Sequence, residues 1–165
     1  MPEKTAVKRS KFAQFLNTGT AANPVWKRFG TGIADNSVSY NASVTSETFI
    51  HEDTATNSID SYAPSVPVTQ YAYTGDGVFE FVDNIRYNNL TATDAETEVL
   101  FIDIYSVSSS TYRAYKQACA IQIDSFGGAG GQRLQIGYTV LLNGDPTLGS
   151  ATINANGEPT FTAAV

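Results

Sequence analysis

In the second half of the chain two stretches, Tyr112 to Ile123 and Arg133 to Leu142, alternate apolar and polar residues, and this period admits little except paired strands. Arg133 to Leu142 alternates cleanly, with Leu134, Ile136, Tyr138, Val140 and Leu142 on one side and Arg133, Gln135, Gly137 and Thr139 on the other. Tyr112 to Ile123 places Tyr115, Cys119, Ile121 and Ile123 inward and Ala120, Gln122 and Asp124 outward. Glu98 to Ser106 is nearly continuous in apolar residues, which predicts a central strand covered on both faces. Asn143-Gly144-Asp145-Pro146 reads as a turn, Phe126 to Gly131 as a glycine loop, and Asn156-Gly157 as a hairpin signal before a last edge strand over 161–165.

Only one segment breaks this period. In TGDGVFEFVDNIRYN, Val78, Phe81, Val82 and Ile85 fall at i, i+3, i+4 and i+7, one apolar face of a helix over about 76–88. Thr74 or Asp76 can cap it, Glu80 suits its start and Arg86 its end. Upstream, Phe12 to Leu16 reads as a short edge strand and Val25 to Ile33 as a strand anchored by Trp26, in the core or at a subunit contact. Asp35 to Asn41 reads as a turn or a single helical turn.

The stretch over about 45–73 reads as a long β-hairpin. One arm is Val44 to His51, the other Ser65 to Tyr73, and the polar middle, 52–63, has little that would fill a core. A connection of that length in a compact domain usually has a job. Two readings stand: a hairpin whose outer part reaches a neighbouring copy, or a mobile surface loop.

At 165 residues the chain is one domain, 1–165, large enough for a real core. Its net charge of −6 is unevenly placed. Residues 1–28 set six basic groups against Glu3, for +5, and residues 29–165 carry −11. Residues 1–11 therefore form a basic N-terminal arm on an acidic body, suited to an acidic surface or to solvent. The acidic body argues against nucleic-acid binding. Cys119, the one cysteine, allows no intrachain disulfide. The apolar run Val99 to Ile102 is far too short to span a bilayer, and MPEKTAVKRSKF lacks a signal peptide's apolar core, so a soluble protein made in a cytoplasm is expected, with no membrane insertion.

Sites for chemistry are scarce. His51-Glu52-Asp53 lacks the further ligands a zinc site needs. Asp53, Asn57 and Asp60 do not match a calcium loop. Gly127 to Gly131 has no Gly-Lys-Ser/Thr ending and no following helix, so it is no phosphate cradle. Glu96 and Glu98 suit a solvated face. The expectation is no enzyme, no metal and no cofactor.

Three blocks together carry a resemblance: WKRFGTGI, YNASVTSETFIHEDTATNSIDSYAPSVPVTQYAYTGDGVFEFVDNIR, and NGDPTLGSATINANGEPTFTA. Over roughly 5–163 the chain resembles the major tail (tail tube) proteins of long, non-contractile-tailed phages of Gram-positive hosts. The resemblance implies a β-sandwich or barrel with one flanking helix. It further implies a virion protein, present in host cytoplasm during assembly, that forms hexameric rings stacked around a tape-measure protein and later around passing DNA. Tail-terminator and distal tail proteins would be further partners. Within that picture, Glu52, Asp53, Asn57, Asp60 and Tyr62 of the 52–63 loop, with Lys8, Arg9 and Lys11 of the basic arm, are candidate contacts between copies. Gln122, Asp124 and Glu47 are candidates for a polar or acidic lumen that does not grip DNA, with ordinary solvent as the alternative. The rival class is a carbohydrate- or surface-binding β-sandwich using exposed Tyr and Asn, with a hydrolase behind it.

Overall fold

The computed structural model describes residues 1–165. After a short 3-10 turn at Arg9–Lys11 the chain forms β1 (Phe12–Asn17), β2 (Trp26–Arg28), β3 (Ser43–Glu47), β4 (Thr56–Ser61), β5 (Ser65–Tyr71), α1 (Gly77–Tyr87), β6 (Glu96–Ser108), β7 (Thr111–Gly127), β8 (Gln135–Ile153) and β9 (Pro159–Ala163). Seven strands make one antiparallel sheet in the order β2-β1-β6-β7-β8-β5, with β9 also on β8. The sheet is nearly closed, like a barrel, and carries one α-helix. β3 and β4 form a separate two-stranded sheet.

Apolar residues pack on both faces of the main sheet. On one face Val78, Phe79, Val82 and Ile85 of α1 share a cluster with Val99 and Phe101 of β6, Cys119 and Ile121 of β7, Ile136, Tyr138, Val140 and Leu142 of β8, and Val66 and Val68 of β5. On the other face Phe15, Leu100, Ile102, Ala114 and Ala151 form a smaller cluster under Trp26 and Phe161. β6 contributes alternate residues to each cluster, as its unbroken apolar run requires.

The helix begins where Asp76 accepts a hydrogen bond from the Phe79 amide, 2.9 Å, and ends at Asn88. Val78, Val82 and Ile85 are buried; Phe81 is half-buried against the same cluster, and Phe79 joins the buried face. Asp76 also accepts from Nε2 of Gln70 at 2.9 Å, and Gln70 Oε1 accepts from the Tyr138 hydroxyl at 2.9 Å. A polar line thus ties β8, β5 and the helix cap inside the core.

Several local expectations are corrected. β1 lies inside the sheet, with the three-residue β2 as its outer neighbour. The strand expected over Val25 to Ile33 stops at Arg28, because the chain turns through Gly30–Ile33, with Gly32 at φ +76°. No helical turn forms over Asp35 to Asn41. Phe126 and Gly127 belong to β7 rather than to the glycine loop, and Leu134 is exposed. Asn143 to Pro146 is not a turn but a bulge within the 19-residue β8. Between the pairs Lys116/Thr147 and Ala118/Asn143, Gln117 faces three residues of β8, and its Nε2 donates to the Gly144 carbonyl at 2.6 Å.

The protruding hairpin is present, but its second arm is β4, drawn from what the sequence presents as a polar loop. Ser65–Tyr71 leaves the hairpin and pairs along β8 from Leu141 to Gln135. The reason is burial: Val66, Val68 and Gln70 alternate into the core, whereas β4 has no core to meet.

Candidate functional site

No residue of β3 or β4 is buried. An isolated two-stranded hairpin is marginal in water, and this one is held by its own cross-strand groups. Val44 lies opposite Ile59 on one face. The Thr45 hydroxyl donates to Asp60, and the Ser46 hydroxyl to Asn57. At the tip Phe49 and Ile50 are exposed, Ile50 completely. His51 Nε2 lies 3.6 Å from Glu52, and its ring stacks on Phe49 at 6.3 Å between centroids. The side chain of Thr56 donates to Glu52 at 3.2 Å. Asp53 is exposed. At the base, Tyr62 meets Tyr40 edge to face. Glu52, Asp53, Asn57, Asp60 and Tyr62 are therefore gathered on one projecting element with an exposed apolar tip.

The basic arm divides. Residues 1–8 are exposed and enter no strand or helix, and Lys11 is exposed as well. Arg9 is engaged within the chain, donating to the Phe12 carbonyl at 2.8 Å and to the Asn36 side chain at 2.6 Å. It anchors the point where the arm leaves the body.

Gln122 and Asp124 lie exposed on β7, where Gln122 donates to Asp124 at 2.6 Å and the Thr139 hydroxyl donates at 2.8 Å. Glu47 is not beside them; it ends β3 on the hairpin. The three candidates for one lining thus sit on two different sheets.

Sheet borders, which only pairing could reveal, complete the picture. β5 is a guarded border: Ser65 and Tyr71 donate to Ser39 and Gly32 carbonyls, and Pro67 between them has no amide hydrogen. β2 and β9 each pair on one side only, as do β3 and β4. These are the open borders of the molecule.

No convergent chemistry appears elsewhere. No group of three or more His, Cys, Asp or Glu is placed to hold a metal ion. Cys119 is fully buried, and burial pushes its thiol up to about 12. Burial also raises the Tyr138 and Tyr115 phenols, the latter further beside Tyr40. No helix is long and apolar enough to cross a membrane.

No protein-family model matches the chain, and no curated protein matches it. Solved structures do. A chain from the tail of an empty GTA particle, determined with C6 symmetry, superposes with a TM-score of 0.62 at 12% identity, covering 87% of this chain and 98% of its own. A subunit of the SPP1 tail tube superposes with a TM-score of 0.62 at 11% identity, covering 97% of this chain and 81% of its own. At this identity the likeness is one of architecture: over the matched lengths the chain has the fold of these two tail proteins.

Proposed function

We propose that this chain is a structural subunit of a phage tail tube. Copies assemble into stacked rings of six that enclose a conduit for DNA around a tape-measure protein, closed at its ends by tail-terminator and distal tail proteins. The observation that carries the reading is the hairpin: a long projecting element with no interior of its own, on a fold shared with two tail subunits. Such an element gains stability by docking on another surface, and identical copies offer one in every direction. The open borders of β2 and β9 suit pairing between copies. The C6 symmetry of the GTA tail supports six copies per ring. The Gly-rich loop, His51 and the acid pairs take no catalytic part in this reading.

Negative-stain microscopy and sedimentation of the concentrated protein test it. Rings or tubes are expected. A strictly monomeric species at high concentration, without rings or tubes even beside its tail partners, overturns it. Glycan binding by a stable monomer through the exposed Tyr40 and Tyr62 would put a carbohydrate-binding module in its place.

A further inference from the structure

An open cleft of about 880 Å³ lies between the hairpin base and the bulge of β8. Tyr40 and Tyr62 stand on one side, ring centroids 6.0 Å apart, with Asp60. Asp145 and Leu148 stand on the other, and the half-buried Tyr115 lies between. Neither carboxylate is paired with a cation: Asp60 meets only the Thr45 hydroxyl, and Asp145 forms no ion pair. Aromatic rings beside uncompensated carboxylates favour an ammonium or guanidinium group, which gains from the ring faces and from the charges together.

The chain itself carries a segment of that chemistry. Residues 1–8 bring Lys4 and Lys8 against a single acid, Glu3, and all are exposed. They line no part of the cleft of their own chain. We propose that the Tyr40–Tyr62–Tyr115 cleft of one copy receives residues 1–8 of a second copy, with the Lys4 and Lys8 ammonium groups meeting Asp60 and Asp145. The proposal rests on the assembly reading above and names one of its joints. It also assigns a role to the β8 bulge, since the bulge carries Asp145 into the cleft.

The test places Lys8→Cys on one full-length chain and Asp145→Cys on a second chain of distinguishable size. The two are mixed under assembling conditions with a mild oxidant. Both positions are exposed, and the buried Cys119 does not compete. A disulfide joining the two different chains is expected, reduced at least fivefold when the cleft chain also carries Tyr40→Ala and Tyr62→Ala. Tubes that form without this cross-link overturn the docking and leave the tail tube reading intact. A disulfide found only within single chains of a Lys8→Cys/Asp145→Cys double variant also overturns it, because the arm would then fold back on its own body. Absence of any assembly by the wild-type chain at high concentration and beside its tail partners removes both readings.

Discussion

Asp76 holds two unlike structures at once. One carboxylate oxygen accepts from the Phe79 amide in the first turn of α1 and from the buried side chain of Gln70, which is in turn bound by Tyr138. Replacing Asp76 with Ala removes a helix cap and leaves a buried amide with one partner fewer. A loss of about 2 kcal/mol is expected, measured as a lower urea midpoint with unchanged slope. Cys119 provides a second check at this scale. Its thiol ionises near 9 when free and at about 12 in the fold. The unfolded chain therefore releases this proton first as pH rises. The contribution is fully present below pH 9 and is lost between 9 and 12, by about 1.4 kcal/mol per pH unit. The stability difference between the wild type and Cys119→Ala should shrink over that window. In the native protein at pH 8 the thiol should resist a disulfide reagent and react at once in denaturant.

Among the elements, β6 is the long strand whose middle four residues, Val99 to Ile102, are all buried, two toward each face. Leu100→Ala and Phe101→Ala remove neighbours that point in opposite directions, into separate clusters. Each should cost about 2–5 kcal/mol in urea unfolding, whereas a strand with one wet face would show the cost at only one of the two positions. The hairpin should behave in the opposite way. Replacing residues 44–60 by a tight turn removes no buried side chain, so the thermal midpoint should move by only a few degrees while tubes fail to form in micrographs. The same contrast explains what could be read from the residues. α1 was legible because burial on one face writes a period into the chain, and β6 because burial on both faces writes an unbroken apolar run. The inner half of β8 was legible for the same reason as α1. β4, Thr-Asn-Ser-Ile-Asp-Ser, has water on both faces, so no alternation marks it as a strand. The bulge of β8 misleads for a different reason: Asn-Gly-Asp-Pro has turn chemistry, but pairing with β7 on either side keeps the strand running through it. The acids of the 52–63 segment were legible as a group. That Asp60 alone among them joins Tyr40, Tyr115 and Asp145 around one cleft was not, since that depends on contacts far apart in sequence.

For the molecule as a whole, charge placement decides how it treats a polyanion. The body carries −11 beyond residue 28, and the exposed Gln122–Asp124–Thr139 patch is polar and acidic. If this patch lines the conduit, DNA slides past it without being held. Gln122→Lys with Asp124→Lys should leave the fold intact, because both side chains are exposed. The resulting tubes should retain DNA at low salt and release it as salt rises, measured by co-sedimentation; wild-type tubes should retain none. Retention unchanged by the double substitution would place the patch on the outside of the tube.

The hairpin tip has a practical consequence. Phe49 and Ile50 stand in solvent on an element that supports nothing beneath it. A protease such as chymotrypsin should nick free subunits there while the rest of the fold stays whole. Once neighbours cover the tip, cleavage should cease. The fraction of nicked chain sampled over time would then serve as a clock for the joining of subunits, readable on a gel before any particle is large enough to see.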